Sequence, residues 1–269
     1  MYFLQINTYG TQGSNCLFKL KGFVTTFTFQ ITQQSKVCTK HMHGLTSVEL
    51  FTTCAVHGGD GFAFVIHLDK NGSQALGMDG HELGYGGISN SIAIEFDTWT
   101  NVPSQSSNDF FHDHIAIHSM SFRVNTSAQG SALGHARPIE LADGKAHSIK
   151  IRYVPYVDVN YFYQLTANDN LYPYIKDNGQ GRRLGTLAVF IDDGIESNTP
   201  ILAIPINLSV LLDLPQSLAY VGFTGSTGMR WETHDIFDWS WCDTGDCHGD
   251  PNEIERMEVT DDSHLPPLF

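Results

Sequence analysis

Apolar and polar positions alternate along most of this chain, and the alternation has a period of two. Residues 22–31, GFVTTFTFQI, place aromatic and β-branched side chains at alternate positions. That is the pattern of a strand with one buried face. Segments 61–68 (GFAFVIHL), 91–99 (SIAIEFDTW), 114–120 (HIAIHSM), 147–154 (HSIKIRYV), 186–192 (TLAVFID), 201–210 (ILAIPINLSV), 219–225 (AYVGFTG) and 234–241 (HDIFDWSW) also read as strands. Turn-forming runs separate them: GGDG at 58–61, DKNGS at 69–73, DGK at 143–145 and DDG at 192–194. Helical periodicity is scarce. One short helical turn is predicted over 208–216, where Pro215 ends it. Many strands, few helices and turn-rich connections predict an all-β sandwich. The stretch 155–185 interrupts this order: it is rich in Tyr, Asn and Asp and has no regular period. Connections of that length are usually functional or disordered.

A chain of 269 residues fits one large β-sandwich, and neither an internal repeat nor a second domain is visible. The 41% hydrophobic fraction, with 12% aromatics, supports a sizeable core. The formal net charge of −14 argues against nucleic acid, which needs a basic face. Acidity suits divalent cations, although solubility alone accounts for most of these charges; many lie between Asp243 and Asp262. No run of 18 apolar residues occurs, so no membrane span is predicted. The start, YFLQINTYG, is too short and too polar for a signal peptide. Five cysteines is an odd number, so at least one lacks a partner within the chain. Cys242 and Cys247 are close enough to pair locally, and Cys38 and Cys54 could close a loop between two strands; neither spacing is a zinc pattern, and Cys16 stands alone. Sequons at Asn71, Asn125 and Asn207 are near the chance number for this length.

The chemistry begins at SIAIEFDTWTN, 91–101. Glu95 and Asp97 stand two apart on one strand, so they share a face. Two carboxylates that close repel, and burying them costs several kcal/mol without compensation. Asn101, Asp109 and His114 follow at short intervals. Oxygen-rich groups suit calcium, and carboxylates mixed with one imidazole suit manganese or a similar ion. Two cations would neutralise this face. Solvent exposure alone would excuse an isolated pair, but the spacing to Asn101, Asp109 and His114 favours the cation reading.

At these residues the chain resembles the legume-type (L-type) lectins. IAIEFDTWTN and DFFHDHIAI match, in order and spacing, that family's V-A-V-E-F-D-T strand, the Asn four residues after its Asp, and the Asp five residues before H-I-G-I. GFVTTFTFQI resembles F-T-T-S-F-T-F; HGGDGFAFVI resembles A-D-G-L-A-F-F; LGYGGI resembles G-Y-L-G-L. VGFTGSTG and ETHDIFDWSW resemble V-G-F-S-A-x-T-G and E-T-H-D-I-L-S-W-S-F. The motifs run from about Gly22 to Trp241 in the family's order.

The resemblance implies a concanavalin-like jelly-roll β-sandwich of two large antiparallel sheets. It would span 1–241, with 155–185 as an insertion and 242–269 as an acidic, cysteine-containing extension. It implies a lectin without catalysis, binding glycans or glycoproteins and using Ca2+ and Mn2+ or a similar transition metal. Glu95, Asp97, Asp109 and His114 would hold the transition metal. Asp97, Asn101, Asp109 and the backbone carbonyl of Trp99 would hold calcium. Asp60 would accept from two sugar hydroxyls, after a cis peptide at Gly59–Asp60. Asn101 would donate its amide, Trp99 would stack on the ring, and a backbone N–H from Gly84, Gly86 or Gly87 would complete the pocket. Met229 and Arg230, in the loop GMRWE, would set specificity. Asp113 has no ligand counterpart and reads as a solvated neighbour. His41, His43, His57, His67, His112 and His118 show no ligand spacing, while Trp239 and Trp241 read as core or strand surface. As turn residues, Asp60 and the GYGG glycines could serve backbone geometry alone.

The family places one more strand-rich segment before its first motif, where only 21 residues precede Gly22 here. Two alternatives follow: the back sheet lacks an N-terminal edge strand, or the chain is an N-terminally truncated piece, which the absent signal peptide fits; the expected location is the secretory pathway or the secreted space. An unpaired edge would invite homo-oligomers. Two other functions compete. Laminarinase-type glycosidases carry E-x-D-x-x-E on one strand, but Thr100 stands at the second glutamate's place. A protein-interaction sandwich with a vestigial sugar site would be marked by loss of Asp60 or Asn101, and both are present.

Overall fold

The computed structural model describes residues 17–19, 22–44, 46, 48–101, 109, 113–138, 140–166, 184–214 and 218–242. Thirteen strands are described: β1 Leu17–Lys19, β2 Phe23–Thr32, β3 Lys36–Met42, β4 Glu49–Val56, β5 Gly61–His67, β6 Ser91–Asp97, β7 His114–His118, β8 Ala132–Ala136, β9 Ala146–Val154, β10 Gly185–Ile191, β11 Leu202–Ile206, β12 Leu218–Ser226 and β13 Thr233–Cys242. Six form a front sheet in the order β1-β12-β5-β6-β7-β8, and five form a back sheet in the order β11-β10-β9-β2-β13. Every pairing between them is antiparallel. This is the sandwich that the strand pattern predicts and the jelly roll that the resemblance implies.

The core forms where the two sheets meet. Along β2 the burial alternates residue by residue, placing Phe23, Phe27, Phe29 and Ile31 inside. Phe27 lies at the centre, its ring 4.9–6.4 Å from those of Phe62, Phe64, Phe96 and Phe223. Trp241 is buried and stacks on Phe23 at 4.4 Å, and Trp239 packs edge-on against Phe223, so both serve the core.

Strands β5, β6 and β7 are buried on both faces. Their inner face meets the back sheet. Their outer face is covered by a loop, and Leu83, Tyr85 and Ile88 pack there on Ala63, Val65 and Ala93. The buried carboxylate of Glu82 ties this loop to the next one, accepting from Thr126 Oγ1 at 3.0 Å and Ser127 N at 2.9 Å. A Cβ on Gly86 would fall 1.8 Å from Glu82 Oε2, so that position requires glycine. Asn125 is buried and donates to Ser91 Oγ and the His118 carbonyl, which removes it as a glycosylation acceptor.

Three elements differ from the sequence reading. Strands β3 and β4 pair with each other apart from both sheets and are nearly all exposed, with Cys38 and Cys54 directly opposite and disulfide-bonded. Residues 201–210 are not one strand: β11 ends at Ile206, and Leu208–Leu211 is a helical turn capped by the Asn207 side chain on Val210 N. Within 155–185, Val159–Tyr161 and Phe162–Thr166 are helical, and 167–183 lie outside the described residues. Cys242 is disulfide-bonded; Cys16 and Cys247 lie outside the described residues, as does the extension beyond Cys242.

Because the hairpin shares little packing with the sandwich, the two should unfold separately. Phe27→Ala should cost the sandwich about 3–5 kcal/mol, while Cys38→Ser with Cys54→Ser should leave its denaturant midpoint almost unchanged. Chemical denaturation followed by tryptophan fluorescence measures both. Equal losses would place the hairpin inside the cooperative unit.

Candidate functional site

Glu95 and Asp97 lie on the outer face of β6, beneath the covering loop, and are 1% and 2% exposed. Solvent therefore does not excuse the pair. In the pairing register Glu95 stands between Ala63 of β5 and Ala116 of β7, and Asp97 between Gly61 and His114. Small neighbours leave room for the carboxylates. A Cβ on Gly61 would approach the Phe96 carbonyl to 2.3 Å, so the glycine beside Asp97 is required.

The two carboxylates are compensated differently. Glu95 Oε2 accepts from the Tyr85 hydroxyl at 2.7 Å. Its Oε1 lies 2.9 Å from His118 Nε2 and 3.2 Å from His114 Nε2. Burial alone would raise the Glu95 pKa; the two imidazoles outweigh burial and hold the carboxyl well below its usual range. Asp97 is pushed well above the carboxylate range, first by burial and then by Glu95 and Asp109, although Trp99 N donates to its Oδ1 at 2.6 Å. Asp109 is raised as well, chiefly by burial, and its Oδ2 accepts from Asn101 N at 2.6 Å. Ligand atoms of Asp97, Asp109 and His114 lie within 4.8 Å of one another. Two acidic groups that repel each other beside an imidazole are a donor set that a divalent cation fits.

Asp60 sits at the end of β5, after a cis peptide at Gly59–Asp60. Thr98 N donates to its carbonyl at 3.0 Å, which joins it to the strand of acids. Thr98 Oγ1 donates to Glu232 Oε1, and His234 Nε2 lies 3.0 Å from the same oxygen. A Cβ on Gly58 would fall 1.6 Å from Glu232 Oε2, so Glu232 packs directly behind the GGDG turn. The Asp60 carboxylate is 7% exposed, and its Oδ2 is buried with no hydrogen-bond partner. Gly228 and Gly80 border it; a Cβ on either would stand 2.9 or 4.0 Å from Oδ2. Trp99 and Arg230 flank Gly59, each within 3.5 Å of where its Cβ would be. The Trp99 ring meets His57 edge-on, with centroids 6.4 Å apart. Met229 is 96% exposed at the rim.

The structure thus gathers Glu95, Asp97, Asp109, His114 and Asn101 at one end of the front sheet, with Asp60, Trp99 and Arg230 beside them. It corrects three expectations. The N–H groups of Gly84, Gly86 and Gly87 donate to the carbonyls of Met78, Glu82 and Asn125, at 2.8, 2.9 and 2.9 Å. They build the loop and are not left for a ligand. Asp113 is not solvated: it is buried, and its Oδ2 accepts from Leu141 N at 2.6 Å. His118 touches Glu95, although no ligand spacing was read for it. A repeat of His114 four residues on, hence on the same strand face, was the available signal. Glu232 and Gly228 were also missed, because they come from the other end of the chain.

Residues 2–255 match the model of the legume lectin domain, and the chain belongs to that family. The match extends beyond the Gly22–Trp241 stretch that carries the motifs. Among solved structures, the exoplasmic/lumenal domain of VIP36 in its Ca2+/Man3GlcNAc-bound form is 16% identical; the alignment covers 92% of this chain and 79% of that one, with a TM-score of 0.49. The Emp47p carbohydrate recognition domain is 13% identical, with 84% and 74% covered and a TM-score of 0.43.

Burial, and then Glu232 and Asp79, push the Asp60 pKa up to about 6, with His234 opposing them. Below the ordinary value of 3.8 the group is protonated whether the chain is folded or not. Between 3.8 and about 6 the folded chain keeps a proton that the unfolded chain has released, so stability falls as pH rises. The penalty is complete above about pH 6. In chelator, Asp60→Asn should therefore match the parent's thermal midpoint near the acid end of this window and exceed it at pH 7.5. A midpoint below the parent's at pH 7.5 would contradict this burial cost.

Proposed function

We propose that this chain is a cation-dependent carbohydrate-binding lectin that performs no catalysis. The observation that carries the reading is the Asp60 carboxylate, held in a buried position with one oxygen unpartnered, next to Gly59, which Trp99 flanks. A buried acceptor without a donor is costly unless a ligand supplies the donor. Vicinal sugar hydroxyls are such donors, and an indole face suits the apolar side of a sugar ring.

In this reading Asp97, Asn101, Asp109 and the Trp99 carbonyl hold calcium, and Glu95, Asp97, Asp109 and His114 hold a manganese-type ion. Asp60 accepts from two hydroxyls, the Asn101 amide donates, and Trp99 stacks. Arg230 and Met229 at the rim select among glycans. Bound cations supply the positive charge that lets Asp97 and Asp109 remain ionised side by side. The sandwich, 1–241, acts as the binding module, with 155–185 inserted in it and 242–269 following it. Glycoproteins of the secretory pathway are the partners that fit, since the Cys38–Cys54 disulfide belongs to an oxidising compartment. Absence of catalysis is supported by the strand itself. Thr100 occupies the position of a second glutamate, and both Glu95 oxygens are engaged by Tyr85 and the imidazoles.

Glycan-array binding with Ca2+ and Mn2+, repeated after chelation, tests the reading. Binding should be lost on chelation. Asp60→Asn should weaken it by more than about tenfold, because hydrogen bonds to a charged group are worth ~1.5–3 kcal/mol. Asn101→Ala should abolish binding with the fold intact, and Asp97→Ala should remove cation binding as well. Glycan binding that survives both chelation and Asp60→Asn would discard this pocket. Absence of any glycan binding by the folded chain would favour the protein-interaction sandwich.

A further inference from the structure

We propose that Asn71 carries an N-linked oligosaccharide, on the turn after β5 and at the far end of the front sheet from the Asp60 pocket. The proposal rests on the secretory placement in the reading above and is independent of the sugar pocket.

Three Asn-x-Ser/Thr triplets occur, at Asn71, Asn125 and Asn207, and the fold treats them differently. A glycan joins the side-chain amide nitrogen, so an acceptor needs that nitrogen uncommitted and outside the core. Asn125 is 1% exposed, and its Nδ2 donates to Ser91 Oγ at 3.1 Å and to the His118 carbonyl at 3.2 Å. An amide nitrogen has two hydrogens. Both are spent here, and a glycan would replace one of them. Asn207 is half-buried, and its Oδ1 accepts from Val210 N at 3.1 Å, which holds its carboxamide against the helical turn Leu208–Leu211. Asn71 is exposed and makes no side-chain cap to the short 3-10 turn Gly72–Gln74 that follows it. Among the described residues its hydrogen bonds run through its backbone alone.

That backbone is held on both sides. Asn71 N donates to Asp69 Oδ1 at 2.9 Å, Gly72 N donates to the Asp69 carbonyl at 2.9 Å, and Gln74 N donates to the Asn71 carbonyl at 3.1 Å. Asp69 is anchored in turn, its Oδ2 accepting from Ser89 N at 3.0 Å. Gly72 has a φ of 54°, and a Cβ there would fall 3.0 Å from the Tyr220 hydroxyl, so the turn requires glycine between Asn71 and Ser73. A fixed turn thus presents an uncommitted carboxamide to solvent, where a glycan displaces nothing. The Asp60 pocket stays open. Gly61 pairs with Asp97 at one end of β5 and His67 pairs with Ser91 at the other. Seven residues of strand separate the two ends by about 20 Å. The oxidising compartment that makes the Cys38–Cys54 bond is also the one in which such triplets are modified. In the transfer, the bond between C1 of the first sugar and the phosphate of a lipid-diphosphate-linked oligosaccharide breaks. A bond forms from that carbon to Asn71 Nδ2. The amide nitrogen gives up one proton, and the lipid diphosphate leaves.

The full chain would be expressed behind a cleavable leader in a eukaryotic secretory host. The secreted protein would be mapped by mass spectrometry before and after peptide-N-glycosidase in heavy-oxygen water. The glycosidase converts a glycan-bearing asparagine to aspartate and marks it with heavy oxygen. The Asn71 peptide should be marked and the Asn125 peptide unmarked. Asn71→Gln and Ser73→Ala should each remove the glycan mass from this peptide. Glycan binding by Asn71→Gln should stay within about twofold of the parent, because separated sites act independently. An unmarked Asn71 in a secreted chain whose Cys38–Cys54 bond has formed overturns the proposal and leaves the secretory placement standing. An unmarked Asn71 with both cysteines reduced defeats the placement along with it. Should either variant fail to fold, the map of the parent decides alone.

Discussion

The repulsion between Glu95 and Asp97, buried side by side on the outer face of one strand, is the constraint around which this end of the molecule is arranged. A half-exposed sheet would let water screen the two charges. Here the loop carrying Leu83, Tyr85 and Ile88 excludes water, so the protein must supply compensation itself. It does so unequally. Tyr85, His114 and His118 surround Glu95, and the charge left on Asp97 and Asp109 has one imidazole near it. The result is a pair of neighbouring carboxylates driven to opposite ends of their range by environment. The covering loop depends in turn on the acids, because Tyr85 is anchored through Glu95.

The same constraint reaches the pocket around Asp60. Gly61 pairs with Asp97, and Thr98 bonds the Asp60 carbonyl while its hydroxyl bonds Glu232. The acid-bearing strand and the Asp60 turn are thus joined directly by backbone pairing and hydrogen bonds. Glycines make this closeness possible. At positions 58, 61 and 228 a side chain would collide with Glu232, the Phe96 carbonyl or Asp60. Met229, by contrast, stands exposed at the rim, where the scaffold does not need it.

The sequence by itself determined the strand class of the fold, the inward face of β2, the acid pair on β6 and the candidate residues that follow it. These are local properties. A period of two, a turn of Gly and Asp, or a carboxylate spacing is written within ten or twenty residues, and the backbone geometry that reads it is the same in every protein. Tertiary structure alone decided how those residues behave. It buried both faces of β5, β6 and β7 and thereby turned Glu95 and Asp97 from tolerable surface charges into a problem needing compensation. It brought Glu232 from the far end of the chain to lie behind Asp60, and Ser131 to fix the ring of His118. It committed the N–H groups of Gly84, Gly86 and Gly87 to their own loop, and it set β3 and β4 apart from both sheets, nearly all exposed. Burial, protonation and hydrogen-bond partners depend on which distant groups fill the space around a side chain, and the period of a strand does not encode that.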